Sequence, residues 1–288
     1  MPNGTAWPLR SLLTSLAPWG RLLRYLHMGK PMLLRLPLDI DLLRVGPRLR
    51  QCNSSRPHRK ENAVIIFGHA PRLILKVALL SSNLARDIRM HRVLGESTGC
   101  TPRLVASDPN LRWLVCEYHE HGKGLSRKEK GRHFLEQIAP RYYEYWKPRP
   151  HRVKRLLQRQ RITPHAVREF LHDLGVELPD DFENATLPFS MPYLGNIRKE
   201  CFQDAAGRTL IVDWEDVRTG PLAEGMLRLY PEHAVEVLDF ISRYTDPDDL
   251  EPLHQLAVAA AVQALGNRHH RQRMERVCRH IAATLKQA

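Results

Sequence analysis

The sequence predicts an α+β chain in two parts, a small antiparallel β-rich part followed by a larger, mostly helical one. Three observations carry this. Apolar runs of strand length, bounded by turn residues, crowd into residues 40–118. Helical patterns fill residues 126–175 and 222–286. Between them, residues 188–221 hold two brief apolar runs, each punctuated by one polar residue, Asn196 and Asp213. The boundaries read as a basic amphipathic arm over 1–39, a β-rich part over 40–118 and a helical part over 119–288.

A chain of 288 residues can bury one large core or two smaller ones. No run of eighteen apolar residues occurs, so the sequence contains no spanning helix. The net charge is +13, from 44 Lys+Arg against 31 Asp+Glu, and the basic residues are spread along most of the chain. That excess points to an anionic partner such as a nucleotide, a phosphorylated sugar, nucleic acid or an anionic membrane surface, or simply to a basic surface. Nucleic acid has charge alone in its favour. The five cysteines, Cys52, Cys100, Cys116, Cys201 and Cys278, are scattered and include no Cys-x-x-Cys pair. They read as reduced, buried thiols of a cytoplasmic protein.

Taken in order, the arm carries Arg10, Arg21, Arg24, Lys30 and Arg35 without an acid before residue 39, and its leucines recur at roughly helical spacing. Such a segment either packs across its own domain or makes a peripheral contact with an anionic membrane. Leu42–Val45, Ala63–Phe67 and Leu73–Val77 read as strands, with a Gly-His-Ala-Pro turn before the last. Lys76, set between Leu75 and Val77, needs an anion if it is buried, or else stands at an exposed edge. Ser81-Ser82-Asn83 reads as the cap of a helix through Leu94, stopped by Gly95. Residues 103–106 and 111–118 form a hairpin pattern that runs on into His119-Glu120-His121-Gly122.

Ser126 reads as the cap of a helix through Tyr145, ended by Lys147-Pro148-Arg149-Pro150, and Thr163-Pro164 opens another; the basic segment 151–161 between them also reads as helical. Arg141, Arg149, Arg152, Lys154, Arg155, Arg159 and Arg161 concentrate charge there, interleaved with Tyr142, Tyr143, Tyr145 and Trp146. This mixture either binds a phosphate-bearing or stacked substrate or is a solvated face with its aromatics turned inward. The run Leu256–Val262, apolar all round, predicts a buried core helix ended at Gly266-Asn267.

The stretch around which the chain is organised is 188–221. An amide at Asn196 and a carboxylate at Asp213, at the ends of neighbouring short strands, suit a hard cation such as Mg²⁺. Leu194-Gly195-Asn196-Ile197 and Ile211-Val212-Asp213-Trp214-Glu215 resemble the loops of the protein-kinase-like phosphotransferases, best the aminoglycoside phosphotransferase and choline kinase branch. That family carries His-Gly-Asp-Leu-His-x-Gly-Asn-Ile, then a strand ending in Asp-[Trp/Phe]-Glu. Here Phe189-Ser190-Met191 stands where His-Gly-Asp belongs, so the usual catalytic aspartate, five residues before Asn196, is Met191.

The resemblance implies a two-lobed kinase-like fold, ATP or GTP as nucleotide and Mg²⁺ as metal. It implies that Asn196 and Asp213 hold the metal and that Lys76 holds the nucleotide phosphates, oriented by Asp87 from the Arg86-Asp87-Ile88 match. Asp87 is one methylene shorter than the family's glutamate, which predicts a looser pair. The phosphate-covering loop falls on Gln51–Arg56, with Ser54 and Ser55 as donors, and the adenine-binding hinge on Glu117, Tyr118 and His119. With Met191 at the base position, the acids nearest in sequence are Glu183, Glu215 and Asp216. Two functions follow: an atypical phosphotransferase acting on a small-molecule or saccharide hydroxyl, with an anionic or saccharide acceptor, and a non-catalytic kinase-like module that binds a nucleotide or a partner.

Overall fold

The computed structural model describes residues 33–34, 43–44, 62–67, 73–78, 84–107, 113–120, 122 and 124–287. The chain forms two compact units, Met1–Lys123 with Gln203–Glu215, and Gly124–Phe202 with Asp216–Ala288. The expected loop with Ser54 and Ser55, Cys52, the Gly68–Pro71 turn, the Ser81–Asn83 cap and the arm apart from Leu33–Leu34 lie outside the described residues.

In the first unit a four-stranded antiparallel sheet runs in the order Asn62–Phe67, Leu73–Ala78, Trp113–Glu117, Leu104–Ser107. Side chains alternate across such a sheet, so Ile74 and Lys76 share one face. Their cross-strand neighbours are Cys116 and Leu114 respectively. That face is covered by the helix Ala85–Ser97, whose Leu84 and Ile88 close a cluster with Leu114, Cys116 and Ile74. The helix starts after Leu84 without a side-chain cap and runs through Gly95 instead of stopping there. Gly95 serves close packing: a Cβ at this position would stand 3.1 Å from the Arg103 Cα and 3.2 Å from the Pro102 carbonyl oxygen. The helix ends one turn later, where the Thr98 hydroxyl donates to the Leu94 carbonyl at 2.9 Å. The strand Thr209–Ile211 follows a tight turn at Gly207 (φ +81°).

In the second unit Ser126 and Glu129 form a reciprocal cap on the helix Arg127–His133. A π-helical turn, Phe134–Ile138, joins it to the helix Ala139–Tyr145. Arg149–Arg152 is a strand paired with Thr186–Ser190: it begins in the proline-bearing break after the preceding helix and takes in His151-Arg152, which were expected to be helical. Pro148 and Pro150 cannot sit in a helix interior, and edge pairing is the alternative left to them. The helix Val153–Gln160 then follows, and Thr163 caps Pro164–His172 through the Ala166 N–H at 3.2 Å. Tyr142 and Tyr143 are fully buried, ring edge against ring face at 4.9 Å, so the aromatics of the basic stretch turn inward at these positions. Pro252–Gly266 is the buried core helix, packed against Arg271–Leu285, Leu222–Met226 and Pro164–His172. Cys100, Cys116, Cys201 and Cys278 are buried free thiols. No helix among the described residues is long and apolar enough to cross a membrane.

Candidate functional site

Lys76 is the centre of the site in the first unit. Sheet alternation puts it on the helix-covered face, where Asp87, in the first turn of that helix, meets it. Lys76 Nζ lies 2.9 Å from Asp87 Oδ2, 3.2 Å from Asp213 Oδ1 and 2.8 Å from Glu215 Oε1. The loose pair expected of the short Asp87 side chain is not seen. Burial alone would lower the Lys76 pKa, yet the charges of Asp87, Asp213 and Glu215 raise it well above the lysine range. Burial alone would also raise the Asp87 pKa, but the Lys76 ammonium, His91 and two hydrogen bonds hold it below the carboxylate range. Glu215 is pushed up by burial and by the Asp213 charge, against the pull of Lys76.

A ring of hydrogen bonds fixes the Asp213 segment against the helix. Asp87 Oδ1 accepts from the Trp214 backbone N–H at 3.0 Å. The buried Trp214 indole N–H donates to Thr101 Oγ1 at 2.9 Å, and the Thr101 hydroxyl donates to the Ile211 carbonyl at 2.6 Å. His91 Nδ1 donates to the Pro102 carbonyl at 2.9 Å, and its Nε2 stands 3.6 Å from Asp87. On the surface, Arg86 donates to the Glu215 carbonyl at 2.6 Å. His91, Thr101 and the anchoring use of Trp214 have no motif of their own; the one signal was polar residues breaking apolar patterns, which any loop also shows.

Asp87, Asp213 and Glu215 each offer one carboxylate oxygen within 4.8 Å of the other two. Three carboxylates about one ammonium leave an excess of negative charge, and their oxygens are hard donors, so the residues fit Mg²⁺ chemically.

The residues expected to form the hinge stand at the sheet end of the same unit. Glu117 donates its N–H to the Arg103 carbonyl at 3.1 Å and pairs its carboxylate with the Arg103 guanidinium at 2.7 Å. The Glu117 N–H is therefore engaged, whereas the backbone groups of Tyr118 and His119 enter no hydrogen bond among the described residues. The His119 ring meets Asp204 at 3.2 Å, and the chain beyond it is pinned by Gly122 N–H to the Gln203 carbonyl and Ala205 N–H to the Glu120 carbonyl. Gly122 is required here, since a Cβ would overlap the Asp204 carbonyl. Asp204, unremarked in the sequence, organises this turn by accepting from the Ala206 and Arg208 N–H groups and from the Arg208 guanidinium.

The second unit holds the other candidate loop. Asn196 stands at the start of the helical turn Ile197–Glu200, not at a strand end as expected. Its N–H donates to Glu200 Oε2 at 2.5 Å, and its side-chain amide has no hydrogen-bond partner among the described residues. The Tyr193 hydroxyl donates to the same Glu200 oxygen. Gly195 lies inside this clamp, where a Cβ would overlap both the Tyr193 hydroxyl and the Glu200 carboxylate. Met191 leads into the loop, its carbonyl accepting from the Tyr142 hydroxyl at 2.6 Å.

A Ralstonia eutropha structure assigned to the aminoglycoside phosphotransferases matches this chain at TM-score 0.54 and 11% identity, covering 92% of this chain and 98% of its own. A thermostable mutant of the aminoglycoside phosphotransferase APH(4)-Ia matches at TM-score 0.50 and 11% identity, over 84% of this chain and 95% of its own. The fold is that of the kinase-like phosphotransferases. Streptococcus pneumoniae choline kinase LicA is also similar, at TM-score 0.49 and 14% identity over 82% of this chain and 94% of its own. Protein-family models and curated proteins give no match to the sequence.

On this kinase-like fold the three candidate acids part company. Glu183 stands three residues before the strand Thr186–Ser190, and Met191 follows that strand. A strand rises about 3.3 Å per residue, which puts Glu183 and the loop at opposite ends of it. Glu215 is engaged by Lys76. Asp216 is exposed and is tied to the loop through its carbonyl, which accepts from the Leu194 N–H at 2.8 Å.

Proposed function

We propose that this protein is an atypical phosphotransferase that uses ATP or GTP with Mg²⁺ to phosphorylate a hydroxyl of a small molecule or saccharide. The observation that carries the reading is the buried Lys76 held between a helix acid, Asp87, and an acid two residues past the strand Thr209–Ile211, Asp213. A buried ammonium of fixed position is suited to a nucleotide phosphate, and Asp87 acts as a positioning residue through it. Asp213 supplies a hard oxygen for the metal, and Asn196, matched by its sequence pattern and carrying an amide without a partner among the described residues, is assigned a second. When bound, Mg²⁺ and nucleotide supply the phosphoryl group and neutralise its charge. Transfer through a loose transition state then depends mainly on position and charge, which is why Met191 at the base position does not remove the reaction. Asp216 is the acid we assign to the acceptor proton, on its tie to the loop.

The test is a thermal-shift panel of ATP and GTP with and without Mg²⁺, followed by nucleotide consumption with sugars, phosphorylated sugars, aminoglycosides and choline as acceptors. A Mg²⁺-dependent shift and turnover with one acceptor class are expected. Absence of any nucleotide shift overturns the reading, and binding without turnover of any acceptor reduces it to a nucleotide-binding module.

A further inference from the structure

A group of arginines without acidic partners lies in the second unit, outside the stretch 141–161 that the sequence singled out. A cavity of about 600 Å³ is walled by Arg127, Arg198, Arg228, Arg273 and Arg276, with Glu232 as its one acid. Its size is that of an ordinary small-molecule pocket. Glu232 is taken by Arg127 at 2.7 Å. Arg228 donates to the Gly195 carbonyl at 3.1 Å, a neutral acceptor that leaves its charge unbalanced. Arg198, Arg273 and Arg276 pair with no carboxylate among the described residues.

These four guanidinium groups come from three separate places in the chain: the turn after Asn196, the segment after the helix Leu222–Met226, and the C-terminal helix. Arg273 and Arg276 are three apart on that helix and so share a face. Their mutual repulsion is felt: burial and the charges of Arg228, Arg198 and Arg276 together hold the Arg273 pKa below the arginine range. His233, fully buried on the same wall, has no hydrogen-bond partner for either ring nitrogen among the described residues, its Nδ1 standing 3.7 Å from Glu236. Folding four like charges around one cavity costs free energy that an anion returns, and planar guanidinium forks match phosphate oxygens. Asn196 itself lines the cavity, so a molecule held there lies beside the candidate metal-binding loop.

We propose that this cavity binds the acceptor through a phosphate monoester, making the substrate class a phosphorylated sugar or a similar small phosphate-bearing alcohol. The word acceptor rests on the phosphotransferase reading; the anion site does not. The experiment is calorimetric titration of the full chain, without nucleotide and at fixed ionic strength, with glucose 6-phosphate, inorganic phosphate and glucose. It is repeated on Arg198→Gln, Arg273→Gln and, as a charge control outside the cavity, the exposed Arg159→Gln. Glucose 6-phosphate and phosphate should bind and glucose should not. Each cavity-arginine variant should weaken binding about 10–100-fold, the effect of losing one charge-assisted contact, and Arg159→Gln should leave it unchanged. The two cavity arginines lie on different elements, so a variant that fails to fold leaves the other to decide. Equal affinity for glucose and its phosphate, no binding of either anion, or cavity-arginine variants that bind as wild type overturn the site. Sugar-phosphate binding in a protein that shows no ATP shift would uphold the site while overturning the kinase reading.

Discussion

The backbone N–H of Trp214 donates to one carboxylate oxygen of Asp87, 3.0 Å away, while the other oxygen of Asp87 takes the Lys76 ammonium at 2.9 Å. One buried acid thus fixes both the phosphate-binding candidate and the chain segment that carries Asp213. Replacing Asp87 by alanine leaves a buried cation short of its closest fully buried partner and an orphaned N–H. We expect a loss of about 3–5 kcal/mol in chemical denaturation. Because Asp87 is held below its unfolded pKa, its contribution is complete above that value, near pH 4, and fades as pH falls through the folded one. The gap between wild type and variant should therefore narrow only in acid, and a gap constant down to pH 2 would contradict the assignment.

Lys76→Ala should abolish most of the ATP-induced thermal shift. Asp213→Asn should remove only the part that depends on Mg²⁺, because the amide keeps the shape and loses the charge. Equal Mg²⁺ dependence in wild type and Asp213→Asn would take the metal away from this residue.

Met191→Asp restores a carboxylate at the position where the resembled family has its base. If the loop is otherwise competent, turnover should rise by as much as the general-base range of about 10²–10⁴-fold. If Asp216 already takes the proton, Met191→Asp should change little and Asp216→Ala should silence the wild type. Steady-state rates with one saturating acceptor separate the two.

Gly195→Ala tests the Tyr193–Glu200 clamp. A methyl group there has no room, so the Tyr193–Glu200 contact must give way. We expect a destabilisation of about 1–3 kcal/mol, seen as a lower melting temperature, together with loss of activity. A stable, active Gly195→Ala protein would show that the clamp is dispensable.

Lys76 stood out because a lysine inside an apolar strand breaks a simple pattern, whereas Asp87 stood out only through the resemblance carried by Arg86-Asp87-Ile88. The buried run Leu256–Val262 was legible for the opposite reason, an apolar pattern without a polar face. Pro148 and Pro150 marked a break in the helices, but the charges of His151-Arg152 resemble a solvated helix face, and nothing local shows that they pair with a distant strand. The Thr101–Trp214 and Asp87–Trp214 bonds span over a hundred residues, and the arginines of the cavity are scattered from 127 to 276. Contacts of that kind are made by the fold and leave no spacing in the sequence to find.

The Tyr142 hydroxyl holds residue 191 by its main-chain carbonyl. Every amino acid presents that oxygen, so the chain's path into the loop is set without reference to the side chain there. Position 191 is in this sense a socket: the grip belongs to the scaffold and the chemistry to whichever residue is seated. A carboxylate there can be exchanged for a thioether, or the exchange reversed, without rebuilding the loop.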